Sequence, residues 1–333
     1  MPDVTTLVVG GTGFLGAQIA ETARRAGHKV SILSRQPQKV DGIECLLGDR
    51  FGPLDALNGR RFDLILDTCA YIPDAVLHLL DRVASPPKRY VIVSSISVHE
   101  DFSLPGISEE TPVRTASAEE RAPYAAVPLA ERGKVRMAPE SYGPLKRACE
   151  IAAFDRLGDQ VIALRAGLLV GAGDRSDRLT WWVRRIDLGG PIPVPTDRPV
   201  QFIDAGDVAE FGILAAMSGQ SGIFNVAGDP IPLYSVLDAI RDLSGSDARF
   251  IPCSDQALLD AGIGPWINFP LWLPDTPDTA HFFGIGTGRA KSAGLRTRPL
   301  AETLGPLITW DRSRRNQPLT CGLTPEQEQA LLG

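Results

Sequence analysis

Lysine is scarce in this chain. Only six of its 34 basic residues are Lys (Lys29, Lys39, Lys88, Lys134, Lys146 and Lys291), so a lysine at a patterned position carries information. Basic charge is short overall. Against 40 Asp and Glu it leaves a net charge of −6, which argues against a nucleic-acid or anionic-membrane surface as the main partner. The five cysteines (Cys45, Cys69, Cys149, Cys253, Cys321) form no Cys-x-x-Cys, and the four histidines are equally dispersed. No metal site is therefore expected, and the cysteines read as small buried hydrophobes in a reducing compartment. No run approaches the ~18 apolar residues of a membrane span. The opening MPDVTTLVV has no basic leader region, so a cytoplasmic location is the default expectation.

Internal repeats and low-complexity tracts are missing too. What remains is an ordinary globular composition, 44% hydrophobic and 22% charged over 333 residues, enough for one large α/β domain or two coupled ones. TTLVVGGTGFLGAQIAETARRAGHKVSILSR (residues 5–35) reads as strand, tight turn, helix, strand. Phe14, Leu15, Ile19, Ala20 and Ala23 fall at helical spacing and Gly27 supplies the stop. FDLILDTCAY (62–71) and RYVIVSSISV (89–98) are further apolar strands with a helix between them near 74–84, and QVIALRAGLLV (160–170) is another. Strands alternating with helices predict a parallel sheet. The expectation is a Rossmann-type doubly wound α/β fold with a smaller C-terminal substrate-binding cap. Residues 1–173 with returning segments near 201–228 would form the nucleotide-binding part, and 174–200 with 229–333 the cap and tail. Residues 99–139, rich in Glu, Pro, Ala and Arg, are too long for an ordinary connection and read as a flap or an insertion.

Gly10, Gly13 and Gly16 stand at G-x-x-G-x-x-G spacing between the first strand and the first helix. Small residues there allow a tight turn, close backbone approach to a pyrophosphate, and helix–strand packing, with the helix N-terminus facing the phosphates. Thr12, Phe14 and Leu15 complete that turn. At the end of the second strand, where NAD-binding units carry Asp or Glu, this chain has Ser34 and Arg35. A guanidinium grips a 2′-phosphate in bidentate fashion, so NADP is expected over NAD. Asp49, in GDR (48–50), is placed to contact the adenine.

SYGPLK (141–146) sets Tyr142 and Lys146 four residues apart, one turn apart on one helix face. Pro144 is accepted only in a first turn, so the helix starts near Ser141 or Tyr142. Upstream, VSSISV (93–98) ends an apolar strand in hydroxyls at the carboxyl edge, where open α/β sheets bind ligands.

GGTGFLG, VSSISVHED, YGPLK, LRAGLLVGAGD and QFIDAGDVAE, in this order, resemble the extended or atypical short-chain dehydrogenase/reductase family. AGLRTRPLAETLGPLITW and GLTPEQEQALL are similar to the tail of its epimerase/dehydratase-type members, so the resemblance spans the chain. It implies Ser95 as the catalytic hydroxyl, with Ser94 and Ser97 as neighbours that can be mistaken for it, and Tyr142 and Lys146 as the catalytic pair. Tyr142 would pass a proton to or from a substrate oxygen, Ser95 would hold that oxygen, and Lys146 would favour the phenolate and hold the nicotinamide ribose. Several positions depart from the family pattern. His99 stands where many sugar-nucleotide members have Tyr, and Ala166 where Pro or another residue is usual. Asp67-Thr68-Cys69-Ala70 replaces an Asn-Ala-Ala type of turn. Gln201 stands where Arg commonly binds a diphosphate, which weakens the case for a sugar-nucleotide substrate.

LTWWVRR (179–185) and GPWINFPLWLP (264–274) hold four of the five tryptophans. They read either as cap core or as an aromatic substrate pocket with Trp181, Trp182, Trp266 or Trp272 near the ligand. Arg184 and Arg185 read as a solvated helix face or an acid-binding pair, and His99 as a core residue or a second acid/base. The leading functional expectation is an NADP-dependent oxidoreductase acting on a carbonyl or alcohol of a small, apolar or aromatic metabolite. An epimerase or dehydratase that returns its cofactor unchanged is the alternative, although Ile96 after Ser95 departs from the acidic residue dehydratases often carry. A non-catalytic NADP sensor is the third. A small molecule is the expected partner, and related folds often dimerise, although no face for a homodimer is evident.

Overall fold

The structure is a computed structural model and describes residues 4–333. Seven strands form one parallel sheet: β1 (Thr5–Val9), β2 (Lys29–Ser34), β3 (Ile43–Leu47), β4 (Leu64–Asp67), β5 (Arg89–Ser95), then β6 (Val161–Ala166) and, after several cap elements, β11 (Gly222–Val226). Their spatial order is β11-β6-β5-β4-β1-β2-β3, parallel throughout. Strand order reverses between β1 and β4, which opens a ligand crevice at their carboxyl ends. The expected doubly wound α/β fold is observed.

Alternation along the strands builds both faces. Val8, Ile32, Leu64, Leu66, Val91, Val93, Ile162 and Leu164 pack against α1 (Phe14–Arg25) and α7 (Ala205–Met217). Leu7, Val9, Leu33, Ile65, Ile92 and Ala163 face α2 (Pro73–Leu80) and α5 (Tyr142–Leu157). Burial on both faces explains why these strands are continuous apolar runs in the sequence.

Residues 99–139 contain no strand. They hold two short helices, α3 (Ala118–Ala125), started by a Ser117/Glu120 capping box, and α4 (Leu129–Arg132). Tyr124 packs this segment onto Ile72, Leu145 and Ala148. The segment expected as one strand over 160–170 is two: the chain leaves the sheet at Gly167, whose N–H bonds Val226, and β7 (Leu168–Val170) pairs instead with β10 (Phe202–Asp204). The edge strand β3 went unread because its half-exposed IECLL shows no clean alternation.

Most of the remaining elements build the cap around a core of its own, whereas residues 288–292 place Ala290 in the core of the sheet. Helix α6 (Arg178–Asp187) leads to β8 (Pro191–Pro195) and the short β9 (Pro199–Val200). Beyond the sheet's last strand come β12 (Ile231–Pro232), α8 (Leu233–Ser244), β13 (Arg249–Cys253) and α9 (Asp255–Asp260), followed by α10 (Gly288–Ser292), α11 (Leu300–Ser313) and α12 (Pro325–Leu332). β8 and β13 pair in parallel, β9 and β12 antiparallel. Trp181, Trp182, Phe269 and Trp272 sit among Leu and Ile of α6, α8 and α11 in one core. No helix among the described residues is long and apolar enough to cross a membrane.

Candidate active site

A cleft of about 810 Å³ runs along the carboxyl ends of the strands, from the glycine turn to the aromatic segment near Trp266. The turn is closed by the Gly13 N–H on the Gly10 carbonyl at 2.9 Å. Gly16 cannot be larger, because a Cβ there would lie 2.1 Å from the Gly10 oxygen. Helix α1 then begins without a side-chain cap, leaving first-turn N–H groups beside Phe14 and Leu15 for a ligand in the cleft. Thr12 lines it as well.

At the far side of the turn the Ser34 hydroxyl bonds the Gln36 backbone (2.8 Å as donor, 3.3 Å as acceptor) and so fixes the strand end. Arg35 beside it is exposed, lines the cleft, and has no ion pair or hydrogen bond among the described residues. A free guanidinium at this end fits a nucleotide 2′-phosphate. Asp49 lines the same end, with one carboxylate oxygen accepting the Phe51 N–H at 3.0 Å. Beneath the turn Arg50 and Asp67 form a buried bidentate pair at 2.6 and 2.9 Å, and the Tyr90 hydroxyl donates to Asp67 at 2.7 Å. Burial alone would raise the Asp67 pKa. The Arg50 guanidinium and these hydrogen bonds outweigh it and hold the carboxyl below its usual range.

The central part comes from β5 and α5. The Ser95 hydroxyl accepts the Ser97 N–H at 3.1 Å and donates to the Ser97 hydroxyl at 3.0 Å, so it caps the short 3-10 turn over 96–98 while lining the cleft. Ser94, on the opposite face of β5, is buried, and it reaches the cleft too, as does Ser97. Tyr142 opens α5, with Pro144 in the first turn as the sequence predicts. Gly143 lets that turn touch the 96–98 turn backbone to backbone: a Cβ at 143 would lie 1.7 Å from the Ser97 carbonyl oxygen. Lys146, only 2% exposed, donates from Nζ to the carbonyls of Ala70 (2.8 Å) and Val93 (2.6 Å). An ammonium has three donors, so one is left for the cleft, which Lys146 lines.

Tyr71 escaped the sequence reading. Its ring centroid lies 5.1 Å from the Lys146 ammonium and 6.5 Å from the Tyr142 ring. Although the residue is 42% exposed, partial burial of its phenol and then the neighbouring Tyr142 push its pKa up. The signal available was its place directly after DTCA at the end of β4. Asp174, Arg178, Phe282 and Phe283 also line the cleft unforeseen.

The substrate-side expectations divide. Trp266 lines the cleft. Trp181 does not: it packs edge-on against Trp182 at 4.6 Å in the cap core, and Trp182 is fully buried with its indole N–H on the Pro270 carbonyl at 2.8 Å. Trp272 belongs to the same core. Gln201 reaches the cleft, but its amide is consumed by backbone, donating to Gly228 and Ile285 and accepting from the Ile285 N–H. His99 lies outside the cleft lining and is buried. Burial and the Arg165 guanidinium push its pKa down to about 4, so it is a neutral core residue at pH 7. Arg184 and Arg185 are neither a solvated face nor an acid-binding pair, since they tie α6 to Asp311 and Glu328 of the tail.

Two residues at the substrate end hold left-handed backbone without being glycine: Asp177 (φ 58°) and Trp266 (φ 69°). Each such residue costs about 1–2 kcal/mol. Asp177 is buried and is held by an ion pair from Arg314 and by the Thr320 N–H at 3.0 Å. Non-glycine residues in this conformation cluster at functional sites.

Residues 6–90 match the family model of the NAD dependent epimerase/dehydratase family. A probable low-salt glycan biosynthesis reductase, Agl14, of Haloferax volcanii is 28% identical over 265 residues, covering 76% of this chain and 84% of that protein. The human epimerase family protein SDR39U1, solved with NADPH, superposes with a TM-score of 0.61 at 20% identity, over 92% of this chain and 99% of that one. The Bordetella bronchiseptica enzyme WbmH, solved with NAD+, gives 0.64 at 15% identity, over 93% and 98%. The resemblance read from the motifs is borne out. Residues 6–90 carry the family's pattern, and the chain has the fold of these enzymes.

Proposed function

We propose that this chain, of the NAD(P)-dependent epimerase/dehydratase/reductase kind, is an NADP-dependent oxidoreductase that moves hydride to or from a carbonyl or alcohol of a small apolar or aromatic metabolite. One observation carries the reading: a single cleft is lined by the glycine turn, the unpaired Arg35, Ser95, Tyr142, Lys146 and an aromatic wall. The glycine turn and the open N-terminus of α1 would hold the pyrophosphate, Arg35 the 2′-phosphate, and the remaining Lys146 donor a ribose hydroxyl. When bound, the nicotinamide supplies or accepts the hydride.

The chain's own residues handle the proton and the position. Tyr142, at the mouth of α5, gives a proton to the substrate oxygen in reduction and takes it back in oxidation. Lys146 keeps a positive charge behind that phenol, fixed by two carbonyls that cannot swing away. Ser95 turns its hydroxyl hydrogen from Ser97 to the substrate oxygen, a rotation that moves no heavy atom. Exclusion of water falls to Trp266, Phe282 and Phe283. The same hydroxyl, phenol and ammonium serve transient oxidation in an epimerase, and the matched family model favours that second reading.

The test loads the purified protein with NADPH, adds a metabolite extract of its host, and follows nicotinamide absorbance together with mass spectrometry. Loss of absorbance that Tyr142→Phe abolishes supports the oxidoreductase. New product at steady absorbance replaces it with the epimerase or dehydratase reading.

A further inference from the structure

Four cations line the cleft, Arg35, Arg50, Lys146 and Arg178. Arg35 lies at the glycine-turn end, Arg50 is neutralised by Asp67, and Lys146 is held by two carbonyls. Arg178 is different. It opens α6 directly after the strained Asp177, and its guanidinium carbon lies 5.1 Å from the Trp266 ring centroid. Its Nε donates to the Ser176 hydroxyl at 3.1 Å, while Nη1 and Nη2 have no hydrogen-bond partner among the described residues. Burial lowers its pKa from the usual value, as expected for a cation waiting for a counter-charge.

The Ser176 hydroxyl in turn donates to Asp174 at 2.8 Å, and Asp174 also accepts the Ser176 N–H at 2.8 Å. Asp174 is thereby coupled to Arg178 through one serine without capping the two free nitrogens. Beyond Trp266 the wall continues in Phe282 (ring centroids 5.4 Å) and Phe283 (6.2 Å). A guanidinium on an aromatic face, with its fork open, matches a planar anion in geometry. Asp174, one hydroxyl away, offsets part of the Arg178 charge, so a singly charged anion is opposed less than a doubly charged one.

We propose that Arg178, stacked on Trp266, binds a carboxylate carried by the substrate and so selects small, flat apolar acids, presenting their carbonyl or alcohol to Tyr142. This rests on the reading of the cleft as a small-molecule oxidoreductase site and narrows its substrate class. A diphosphate or phosphate monoester is disfavoured, because a single cation partly offset by Asp174 would face at least two charges.

The experiment measures dissociation constants of benzoate, benzamide and phenyl phosphate by calorimetry on the full chain saturated with NADPH. NADPH binding itself is titrated separately by its fluorescence. Benzoate is expected to bind at least about tenfold more tightly than benzamide, the discrimination expected of a charged hydrogen bond. Arg178→Gln should erase that preference and Arg178→Lys should keep part of it, both with NADPH affinity and melting temperature near wild type. Equal binding of benzoate and benzamide, tighter binding of phenyl phosphate, no binding of any of the three at millimolar concentration, or an Arg178→Gln protein that still prefers benzoate would each overturn the assignment. Failure of NADPH to bind would instead remove the oxidoreductase reading on which it rests.

Discussion

Replacing Gly143 with Ala adds one methyl group and sets two effects against each other. In a helix the change from Gly to Ala is favourable by up to about 1 kcal/mol. Here the new Cβ would meet the Ser97 carbonyl oxygen at 1.7 Å and its carbon at 2.7 Å. A close C···O contact lies near ~3.3 Å, so α5 and the 96–98 turn must separate by about 1.6 Å. Both partners are backbone, and neither can rotate away as a side chain does. Overpacking of this kind costs about 1–3 kcal/mol, so the contact exceeds the propensity gain and the variant unfolds at lower urea. The larger effect falls on chemistry. The same displacement carries Tyr142 away from Ser95, and a ~1 Å misplacement of a reacting group can cost about 10²-fold in rate. NADPH affinity should change less, because the glycine turn and Arg35 lie on other elements and only the proposed Lys146 contact to the ribose moves with α5. Urea titration, NADPH fluorescence and turnover on the substrate supplied by the extract assay separate these outcomes. A Gly143→Ala protein with wild-type turnover and unchanged stability would refute the claim that this backbone contact positions the phenol.

Arg35→Ala should weaken NADPH binding by roughly 10- to 100-fold and leave NADH binding unchanged, since on the proposed reading the contact removed is a charged hydrogen bond to the 2′-phosphate; equal losses for both cofactors would count against the NADP assignment. Asp67→Asn should cost about 3–5 kcal/mol of stability by stranding the buried Arg50 charge, and the double replacement Arg50→Met with Asp67→Leu should restore much of it; chemical denaturation of the three proteins decides. His99 is neutral in the folded protein down to about pH 4, whereas in the unfolded chain it takes up its proton near 6.5. Protons therefore favour the unfolded state between those values, and stability falls as pH drops from about 6.5 to 4 by an amount on the order of 1–3 kcal/mol. Comparing wild type and His99→Gln across that range should show a shallower decline in the variant, and parallel curves would contradict it.

The glycine-turn half of the cleft was legible because its signals are local. The three glycines report a turn whose atoms nearly touch, and Tyr142 and Lys146 are bound to one face by the helix itself. The sheet was legible for the same reason, each strand being an apolar run short enough to stand alone. The aromatic half was not. Arg178, Trp266, Phe282 and Phe283 come from separate segments whose meeting depends on left-handed backbone at Asp177 and Trp266, which no propensity foretells. Tryptophan-rich composition marked the right stretches but gave no direction, so Trp181 and Trp182 of α6 faced the core while Trp266 faced the cleft. Arg184 and Arg185 read as surface because their partners, Asp311 and Glu328, lie 127 and 143 positions along the chain. Tyr71 gave no local signal, because its place in the cleft comes from Tyr142 and Lys146, which lie about 70 positions along the chain.

The anchoring of α6 depends on the last part of the chain to be made. Asp177, Arg184 and Arg185 are each held by residues between 311 and 328, whereas the seven-stranded sheet and the helix α7 that packs on α1 are complete by residue 226. During synthesis the sheet and its cleft edge are therefore made about 85 residues before the segment that steadies α6, with domains folding as units from the N-terminus. On the proposed reading, a protein cut between α10 and α11 would keep its hold on the cofactor and lose its grip on the substrate.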